Sequence, residues 1–531
     1  MDCTAEHLSN KQTGYFTKIM IDYLEKSQSL QSFYKHSVSL EGVKSAIRDR
    51  EQFKTNRSVL HDELKKQYET VPSDRAVNDN IEKLLLENTF TITTAHQPAI
   101  FTGTLYFIYK ILHVIKIASY LSKELPQYNF VPAYYMGSED ADLEELGKIF
   151  FDGEKIVWDT KQGGAVGRMS TKGLEKIIAR IEGEFSVQPF GKELVQLFKD
   201  CYSNSLNVQT ATFKLVHALF AEYGLIVMIA DNPAFKKQMV PVFEEDVFHQ
   251  TSSRIVAKTI DELSKHYKVQ ANPREINLFY LKDNIRNRIE KVDNLFIVHD
   301  TDISFSEQEM KEELQQHPEH FSPNVILRGL FQETILPNIA FIGGGGELAY
   351  WLELKEMFAY YQVPYPMLVL RNSFLFVEKR WKDKMEKLGL TSMDIFKQEN
   401  ELLNEFVKKQ SQNQLSLAKE LSDAESYYAK LQSISNKIDS TLAEHAKALQ
   451  AQALKPLKEL EKKLLRAEKR KFEEQQKQIH SIKSALFPLN NLQERIDNFI
   501  PYYSKFGKEF IEMLYANSLS LEQEFVVLKE N

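Results

Sequence analysis

The pattern of apolar and polar positions changes three times along the chain. Residues 1–88 mix charged and apolar side chains at helical spacing, so we expect a helical N-terminal segment of the core. From Phe90 onward, short β-rich runs alternate with amphipathic helices, which predicts a parallel sheet with crossover helices. After Gly389 no glycine occurs before Gly507, and the residues between have the Glu, Lys, Gln, Leu and Ala content of long helices.

The predicted strands are short and mostly apolar, as strands buried in a parallel sheet are. They are Phe90–Thr94, Phe130–Tyr135, Lys155–Trp158, Leu225–Ala230, Leu295–His299, Ile339–Ile342 and Met367–Leu370. We expect the α/β core to span residues 89–390. Residues from about 170 to 320 are too many for one simple crossover, so we interpret them as insertions on this core.

Residues 391–487 predict a long antiparallel α-helical coiled-coil hairpin. Two apolar series recur there at three-, four- and seven-residue steps: Leu431, Ile434, Ile438 and Leu442, then Leu465, Phe472, Ile479 and Leu486. Residue chemistry does not locate the turn, and Pro456 is compatible with a helix start or with a kink. Residues 488–531 predict a helical segment that packs back on the core.

Composition narrows the class of protein. A chain of 531 residues with 43% hydrophobic and 27% charged residues is expected to fold into two or three units. The net charge of −7 gives no basic field, so we expect small-molecule ligands and no nucleic acid. Cys3 and Cys201 cannot build a disulfide framework or a thiolate metal cluster.

The sequence also predicts a location and the lack of a zinc site. The N-terminus has no apolar signal core, and apolar runs such as Leu225–Ala230 are shorter than a membrane span, so we expect a cytoplasmic protein without a membrane partner. The histidines form no metalloprotease pattern, so no metal site and no zinc are expected.

The first candidate site is the segment Thr93–Tyr106, between a predicted strand and the helix that carries Lys110. Such loops open at the carboxyl ends of parallel strands, where ligands bind. Backbone amides at the helix start, with Thr102 and Thr104, are suited to a phosphate or carboxylate. No complete phosphate-binding or dinucleotide fingerprint is present, so a polar turn with a helix cap is the alternative.

The second candidate site is Gly137–Asp142, which follows an apolar strand and precedes a helical segment. Its carboxylates, Glu139, Asp140 and Asp142, are suited to an amine, an ammonium group or Mg²⁺. The alternative is structural, with Ser138 as the cap of the next helix and the acids at its positive end. The two roles are compatible.

The third candidate site joins Ser322–Arg328 to Phe341–Trp351. Ordering the four glycines Gly343–Gly346 costs considerable chain entropy, which is expected where the backbone must approach a ligand closely. A predicted helix from Glu347 to Phe358 follows them. This arrangement favours an anion or substrate cradle over a flexible turn. Arg328 can pair with a carboxylate or phosphate through two parallel donors.

Two further segments leave their roles open. The glycine-rich run Gly163–Ser170 is equally typical of a mobile lid and of a surface linker. The segment Pro273–Tyr280, with Arg286 and Arg288 downstream, predicts either an anion site or surface ion pairs.

Taken in order, the motifs resemble those of the bacillithiol-synthesis cysteine-adding enzymes (BshC). They are Thr94-Ala95-His96-Gln97, FTGTLYFIYK, SEDAD, GAVGRM, PREINLFY, SPNVILR, GGGGELAYWLELK and NLQERIDNF, and they span about Thr91–Phe499. The resemblance implies a Rossmann-like core of the nucleotidyltransferase type, inserted connecting segments and a coiled coil that forms a homodimer. It implies a ligase that joins the carboxylate of cysteine to the amine of glucosaminyl-malate to give bacillithiol.

A carboxylate resists attack by an amine at neutral pH, so we expect activation by ATP, with or without Mg²⁺. The implied catalytic groups are His96, Glu139, Asp140 and Asp142. The implied substrate-binding residues are Gln97, Thr102, Gly103, Lys110, Ser138, Asn324, Arg328, Gly344, Gly345, Gly346, Glu347 and Trp351. The family also binds ADP near the junction of core and coiled coil, which implies roles for Lys379, Arg380, Asn490, Gln493 and Arg495.

The chain departs from the family pattern at several motif positions. Ala141 stands where the family has histidine, so proton transfer by a histidine requires His96 to replace it in space. Thr104, Gly329 and Gly345 stand where the family has proline. Two rival hypotheses therefore remain: another aminoacyl or nucleotidyl transfer to a small amine, and a coiled-coil scaffold that binds nucleotide without turnover.

Overall fold

The computed structural model describes residues 1–151 and 153–531, which divide into two compact units. Unit 1 comprises Met1–Phe376 and Asn491–Asn531, and unit 2 comprises Val377–Asn490. The chain therefore leaves unit 1 once and returns to it.

The strands are β1 (Cys3–Ser9), β2 (Thr89–His96), β3 (Asn129–Met136), β4 (Lys148–Phe151), β5 (Glu154–Val157), β6 (Ile226–Ile229), β7 (Leu278–Lys282), β8 (Ile285–Val292), β9 (Leu295–Val298), β10 (Ser304–Ser306), β11 (Phe321–Pro323), β12 (Asn338–Gly343), β13 (Met367–Leu370), β14 (Ser373–Val377) and β15 (Glu524–Glu530).

The helices of unit 1 up to its exit are α1 (Asn10–Thr13), α2 (Lys18–Leu24), α3 (Leu40–Glu51), α4 (Arg57–Tyr68), α5 (Arg75–Lys83), α6 (Leu105–Glu124), α7 (Leu143–Leu146), α8 (Leu174–Phe185), α9 (Gly191–Phe198), α10 (Val208–Phe220), α11 (Pro233–Lys237), α12 (Val240–His249), α13 (Thr251–Leu263), α14 (Glu307–Gln316), α15 (Val325–Ile335), α16 (Gly345–Trp351) and α17 (Lys355–Tyr360). Unit 2 contains α18 (Lys379–Leu388), α19 (Glu399–Gln410), α20 (Ala418–Asn436), α21 (Ser440–Lys469) and α22 (Glu473–Leu486). Unit 1 resumes with α23 (Ile500–Phe506) and α24 (Lys508–Asn517).

Five strands form a parallel sheet in the order β13-β12-β2-β3-β6. Counted by their order in the chain, these strands lie 5-4-1-2-3, which is the Rossmann order. The chain leaves β2 toward one side of the sheet and leaves β12 toward the other. The carboxyl edge between these two strands is therefore a switch point, where ligands bind in folds of this kind.

The sheet is covered on both faces, which explains the continuous apolar character of its strands. Every residue of β2 is buried. The crossover helix α6 packs against β2 and β3, and α3 contacts β12. By length and composition α6 is the one helix in the described residues that can cross a membrane, but 72% of its apolar window is buried inside the fold.

The structure confirms the predicted parallel sheet and corrects the assignment of three strands. Residues 226–229, assigned to an insertion, form the edge strand β6 of the main sheet. Residues 154–157 pair only with β4 in a hairpin, and residues 295–298 belong to an antiparallel sheet of order β10-β9-β8-β7-β11. Asp283 and Asp293 adopt positive φ between consecutive strands of that sheet, and such turns produce antiparallel hairpins.

Both chain ends contain a strand that the sequence analysis assigned to helical segments. The strand β1 pairs antiparallel with β15, from Cys3 opposite Glu530 to Ser9 opposite Glu524. β15 also neighbours β14, so it is the middle strand of a three-stranded sheet of order β1-β15-β14, and every partner lies far away in sequence. Local periodicity therefore could not reveal either one.

Unit 2 contains the predicted helical hairpin. The turn that the sequence left open lies at residues 437–439, and the Asp439 carboxylate caps α21 by accepting the Thr441 amide at 2.7 Å. Pro456 lies inside α21 rather than at a helix start. Side chains bond Gln432 to Gln450 and Asn413 to Glu468, so the two helices run antiparallel.

A buried ion pair joins α3 to α15 beneath the sheet. The Arg50 guanidinium donates to the Glu333 carboxylate at 2.8 Å and to the Glu333 carbonyl at 2.8 Å. Asn338, on β12, donates to the same carboxylate at 2.7 Å. Both partners of the pair are almost fully buried.

We expect Arg50→Met to lower the free energy of unfolding by about 3–5 kcal/mol, because it leaves a buried carboxylate without its cation. Urea denaturation followed by circular dichroism measures this loss. The matched control is Arg180→Met, since Arg180 pairs with Glu154 and Glu184 at the surface and should contribute about 1 kcal/mol or less. Equal losses in the two variants would contradict the assignment.

Candidate active site at the switch point of the parallel sheet

A cavity of about 1000 Å³ opens at the carboxyl edge of the sheet, beside the switch point. The loop after β2, the loop after β12 and the start of α6 line it, together with residues around α7 and the segment before α23. The predicted residues that line it are His96, Gln97, Gly103, Lys110, Asp142, Arg328, Gly344, Gly345, Gly346, Glu347 and Arg495.

The loop between β2 and α6 has a strained backbone that the surrounding fold holds in place. Phe101, Thr102 and Gly103 have consecutive positive φ angles of 49°, 68° and 66°. The Tyr202 hydroxyl accepts the Phe101 amide at 2.7 Å, and the Asn498 amide donates to the carbonyls of Phe101 and Gly103. Such strain persists where neighbouring groups enforce it, often at functional sites.

The cavity lining includes five cationic side chains from separate parts of the fold: Lys110, Lys148, Arg328, Arg371 and Arg495. Lys110 pairs with the Glu347 carboxylate, and Arg371 donates to the Glu494 carboxylate at 2.7 Å. In the described residues, no carboxylate lies within ion-pair distance of Arg328 or Arg495. Arg328 and Arg495 are therefore available to neutralise an anionic ligand.

The partners of these cations fix their positions. The Glu347 carboxylate also accepts the backbone amide of Gly344 at 2.8 Å, so it ties the glycine loop to Lys110. Arg328 donates to the Tyr350 hydroxyl at 3.2 Å. Burial lowers the pKa of Lys110, although the Glu347 carboxylate stabilises its charge. Burial also disfavours the charged form of Arg371, which the Glu494 carboxylate stabilises.

Besides Glu347, the lining includes three carboxylates, Asp142, Glu144 and Glu145, on and beside α7. Asp142 caps this helix by accepting the Glu145 amide at 3.0 Å. Desolvation raises the pKa of the Glu145 carboxyl, and the charges of Asp142 and Asp140 raise it further. Both effects favour the protonated form of Glu145, the form that a general base takes when it accepts a proton.

His96 lines the same cavity, and its surroundings disfavour the charged imidazolium. Its ring is buried between those of Tyr106 and Phe107, with centroids 5.4 Å and 5.2 Å away. Burial lowers the pKa of His96 well below its ordinary value, and nearby Lys110 and Arg328 lower it further. Such an imidazole is a weak base, which favours a hydrogen-bonding role over proton transfer.

Comparisons with known proteins agree with the fold and with the motifs around this cavity. Residues 1–372 match the family model described as "Bacillithiol biosynthesis BshC, N-terminal Rossmann-like domain", and residues 374–530 match "Bacillithiol biosynthesis BshC, C-terminal coiled-coil domain". The chain belongs to the BshC family.

Curated relatives cover nearly the whole chain. A Flavobacterium johnsoniae protein named "Putative cysteine ligase BshC" is 39% identical over 98% of this chain and 99% of its own length. Relatives of the same name from Cytophaga hutchinsonii and Bacillus mycoides are 38% and 27% identical, over 97% and 96% of this chain and 97% and 98% of theirs.

Within this BshC-family chain, the second predicted site lies partly outside the cavity. Glu139 does not line it but forms a buried ion pair with Lys236, beside Asp231. Ser138 is buried, and its hydroxyl has no hydrogen-bond partner. Ser138 is therefore not the helix cap that the sequence analysis offered as an alternative, and Asp142 caps α7 instead. Asp140 accepts the Gln97 amide at 3.1 Å, next to the cavity wall.

Three predicted substrate-binding residues have structural positions instead. Asn324 caps α15 by accepting the Ile326 amide at 2.8 Å, and its own amide donates to Asn277 at 3.0 Å. Trp351 is buried and stacks on Phe341 at 4.5 Å between ring centroids, away from the cavity lining. Thr102 is buried as well, and its hydroxyl has no hydrogen-bond partner.

The residues predicted to bind ADP are divided between the two units. Lys379, Arg380 and Asn490 belong to unit 2, where Arg380 pairs with Glu378 at 3.0 Å. Gln493 belongs to unit 1, where its buried side chain accepts the Phe376 amide and donates to the Phe376 carbonyl. ADP binding by these residues stays a prediction, although the hydrogen bonds to Phe376 already occupy the Gln493 amide group.

The two remaining candidate segments each place an arginine within the electrostatic influence of Glu139. Arg168, in the glycine-rich run, binds the Asp231 carboxylate through two donors at 2.6 Å and 2.7 Å. Arg286 is largely surrounded by protein and donates to the Ser322 hydroxyl at 3.0 Å. Its charge lowers the pKa of Asp140, against the effect of burial.

Several cavity residues were missed by the sequence analysis, most importantly Arg371, Glu145, Glu144 and Lys148. A positional signal was available for Arg371, because it directly follows the predicted strand Met367–Leu370 at the carboxyl edge. Glu145 follows the recognised acidic motif by three residues but lies in a segment assigned only to a helix.

We expect Asn498→Ala to lower the free energy of unfolding by about 2–3 kcal/mol, because two buried carbonyls of the strained loop lose their donor. Substrate turnover should fall as well, since this loop forms the cavity wall at Gly103. Thermal denaturation and the ligase assay measure the two effects. Asn517→Ala, which removes only a bond to Met513 within α24, is the control and should change neither by a comparable amount.

Proposed function

We propose that the chain is a ligase that forms an amide between the carboxylate of cysteine and the amine of glucosaminyl-malate, giving bacillithiol. The observation that carries this proposal is the mixed charge of the switch-point cavity, where Arg328 and Arg495 have no carboxylate partner in the described residues and Asp142, Glu144 and Glu145 lie on and beside α7. Membership of the BshC family and the name of the curated relatives support the same reaction.

The charge pattern fits the two substrates in one orientation. Glucosaminyl-malate carries carboxylates on its malate part and an amine on its sugar, and these groups need opposite surroundings. We place a malate carboxylate at Arg328 and Arg495, because neither guanidinium has a carboxylate partner in the described residues. The amine then lies toward Asp142 and Glu145.

In this arrangement Glu145 is the proton acceptor. The amine nitrogen attacks the activated carbonyl carbon of cysteine, the C–N bond forms, and the leaving group departs with the electrons of its C–O bond. The nitrogen must also lose a proton, which Glu145 accepts. Its raised pKa brings its basicity closer to neutral pH, as general base catalysis requires.

Activation of the cysteine carboxylate by ATP is part of the proposal. A nucleotide would supply the leaving group, either AMP from an acyl-adenylate or phosphate from an acyl-phosphate. The cavity volume and the cations Lys110 and Arg371 fit a phosphate-bearing ligand beside the amino acid. An additional ADP site and a requirement for Mg²⁺ stay predictions, as does the cytoplasmic location.

The test is incubation of purified protein with cysteine, glucosaminyl-malate, ATP and Mg²⁺, with mass spectrometry for the amide. We expect product from the wild type and none when any substrate is omitted. Product formed only with a different amine would favour the transfer to another acceptor. Ligand binding without any product would favour the non-catalytic scaffold.

We expect Glu145→Gln to lower kcat roughly 100-fold, because the amine loses its proton acceptor. In the wild type, activity should fall as the pH decreases through the raised pKa of Glu145, since only the carboxylate accepts a proton. This acidic limb of the kcat profile should be absent from the variant. Glu175→Gln, at an exposed position on α8, is the control, and an unchanged profile in Glu145→Gln would rule out this role.

The homodimer is a separate proposal and rests on unit 2. Its hairpin exposes apolar side chains that a coiled-coil partner would cover, and Ile438 and Leu442 are 75% and 45% exposed. We expect the double variant Ile438→Lys, Leu442→Lys to be monomeric in sedimentation velocity and the wild type to be dimeric. Leu206→Lys is the control, because Leu206 is exposed on unit 1. A dimeric double variant would contradict this interface.

A further inference from the structure

A cluster of two imidazoles and two carboxylates lies on the connection between α14 and β11. It consists of His317, Glu319 and His320, with Glu313 behind them on α14. None of these side chains lines the switch-point cavity. The proposed ligase chemistry therefore does not account for the cluster.

The local backbone brings three donor groups together. Pro318–His320 forms a turn of 3₁₀ helix, in which residues three apart lie on the same face. The rings of His317 and His320 are accordingly stacked, with centroids 5.0 Å apart and planes 21° from parallel. Donor atoms of His317, Glu319 and His320 all lie within 4.8 Å of one another.

A second carboxylate fixes the orientation of His320. Glu313 lies 2.6 Å from His320 Nδ1, and the Tyr280 hydroxyl donates to the same carboxylate oxygen at 2.7 Å. An Nδ1–H group that donates to Glu313 leaves the Nε2 lone pair as the free donor. Histidines that bind metals usually have this arrangement, with a carboxylate on the nitrogen that does not bind the ion.

Simple ion pairing explains the cluster less well. His317 Nδ1 lies 3.2 Å from Glu319, so each histidine has an acidic neighbour. Two protonated imidazoles stacked at 5.0 Å would nevertheless repel each other. Two neutral imidazoles with one carboxylate avoid this repulsion and offer a set of two nitrogens and one oxygen, which is typical of zinc sites that keep one position for water.

We propose that His317, Glu319 and His320 bind one divalent transition-metal ion of the zinc class, and that Glu313 orients His320 from outside the coordination sphere. The expectation of no zinc site rested on the lack of a metalloprotease pattern. It did not consider a His-x-x-His pair within a 3₁₀ turn. Among the residues that the structure describes, these three form the one group of at least three His, Cys, Asp or Glu side chains with converging donors.

The position of the cluster indicates a structural role for the ion. The Glu319 carbonyl accepts a hydrogen bond from Lys236 at 3.0 Å, and Lys236 pairs with Glu139. The next residues form β11 and lead to α15, which carries Arg328. An ion at the turn would fix this connection without entering the cavity, so its expected effect is on stability.

The test uses full-length protein without an affinity tag, stripped of metal by a chelator and titrated with Zn²⁺ in a calorimeter and with Co²⁺ in a spectrophotometer. We expect one ion per chain, visible Co²⁺ absorption from a four-coordinate site, and a higher melting temperature with Zn²⁺. His317→Ala and His320→Ala should each weaken binding at least tenfold and remove the Zn²⁺-dependent shift of melting temperature.

Two variants complete the design. His299→Ala is the matched control, because His299 is exposed with Asp300 at 3.2 Å but belongs to no group of three converging donors in the described residues, and it should bind like the wild type. Glu313→Gln keeps every proposed ligand and should weaken binding about 10- to 100-fold through loss of orientation. No saturable binding by the wild type, or equally tight binding by His317→Ala, would overturn the proposal.

Discussion

The structure depends on one constraint of topology: the chain leaves β2 toward one side of the sheet and leaves β12 toward the other. These parallel strands lie next to each other, but their crossovers leave toward opposite ends of the sheet. No crossover can therefore cover the carboxyl edge between them, and a crevice remains. His96 at the end of β2 and the glycine loop after β12 are at this crevice because of strand order alone.

Electrostatics gives the crevice its chemical character. The Glu347 carboxylate pairs with Lys110, and the Glu494 carboxylate pairs with Arg371. The Arg328 guanidinium has no carboxylate partner in the described residues. Besides neutralising Arg371, the Glu494 carboxylate accepts the Phe374 amide at 3.1 Å, so it fixes Arg371 to β14. The charge is thus organised before any ligand binds, which reduces the cost of ordering the site on binding.

The sequence predicted the parts of the fold that depend on neighbouring residues. Apolar runs located β2, β3, β12 and β13, and the glycine-free helical stretch located the hairpin of unit 2. The strands β1 and β15 were missed, because each is stabilised by a partner from the opposite chain end. The same limit applied to the site, where Arg328 was identifiable from its motif, but the pairing of Glu139 with Lys236 depends on residues nearly one hundred positions apart.

The central claim is that the guanidinium groups of Arg328 and Arg495 in the switch-point cavity bind the acceptor substrate. The most direct measurement is calorimetric titration of glucosaminyl-malate, without cysteine or ATP, into the wild type and Arg328→Met. The account predicts saturable binding by the wild type that the substitution weakens about 10- to 100-fold, as expected for lost hydrogen bonds to a charged group. Equal affinity in a folded Arg328→Met variant would contradict it.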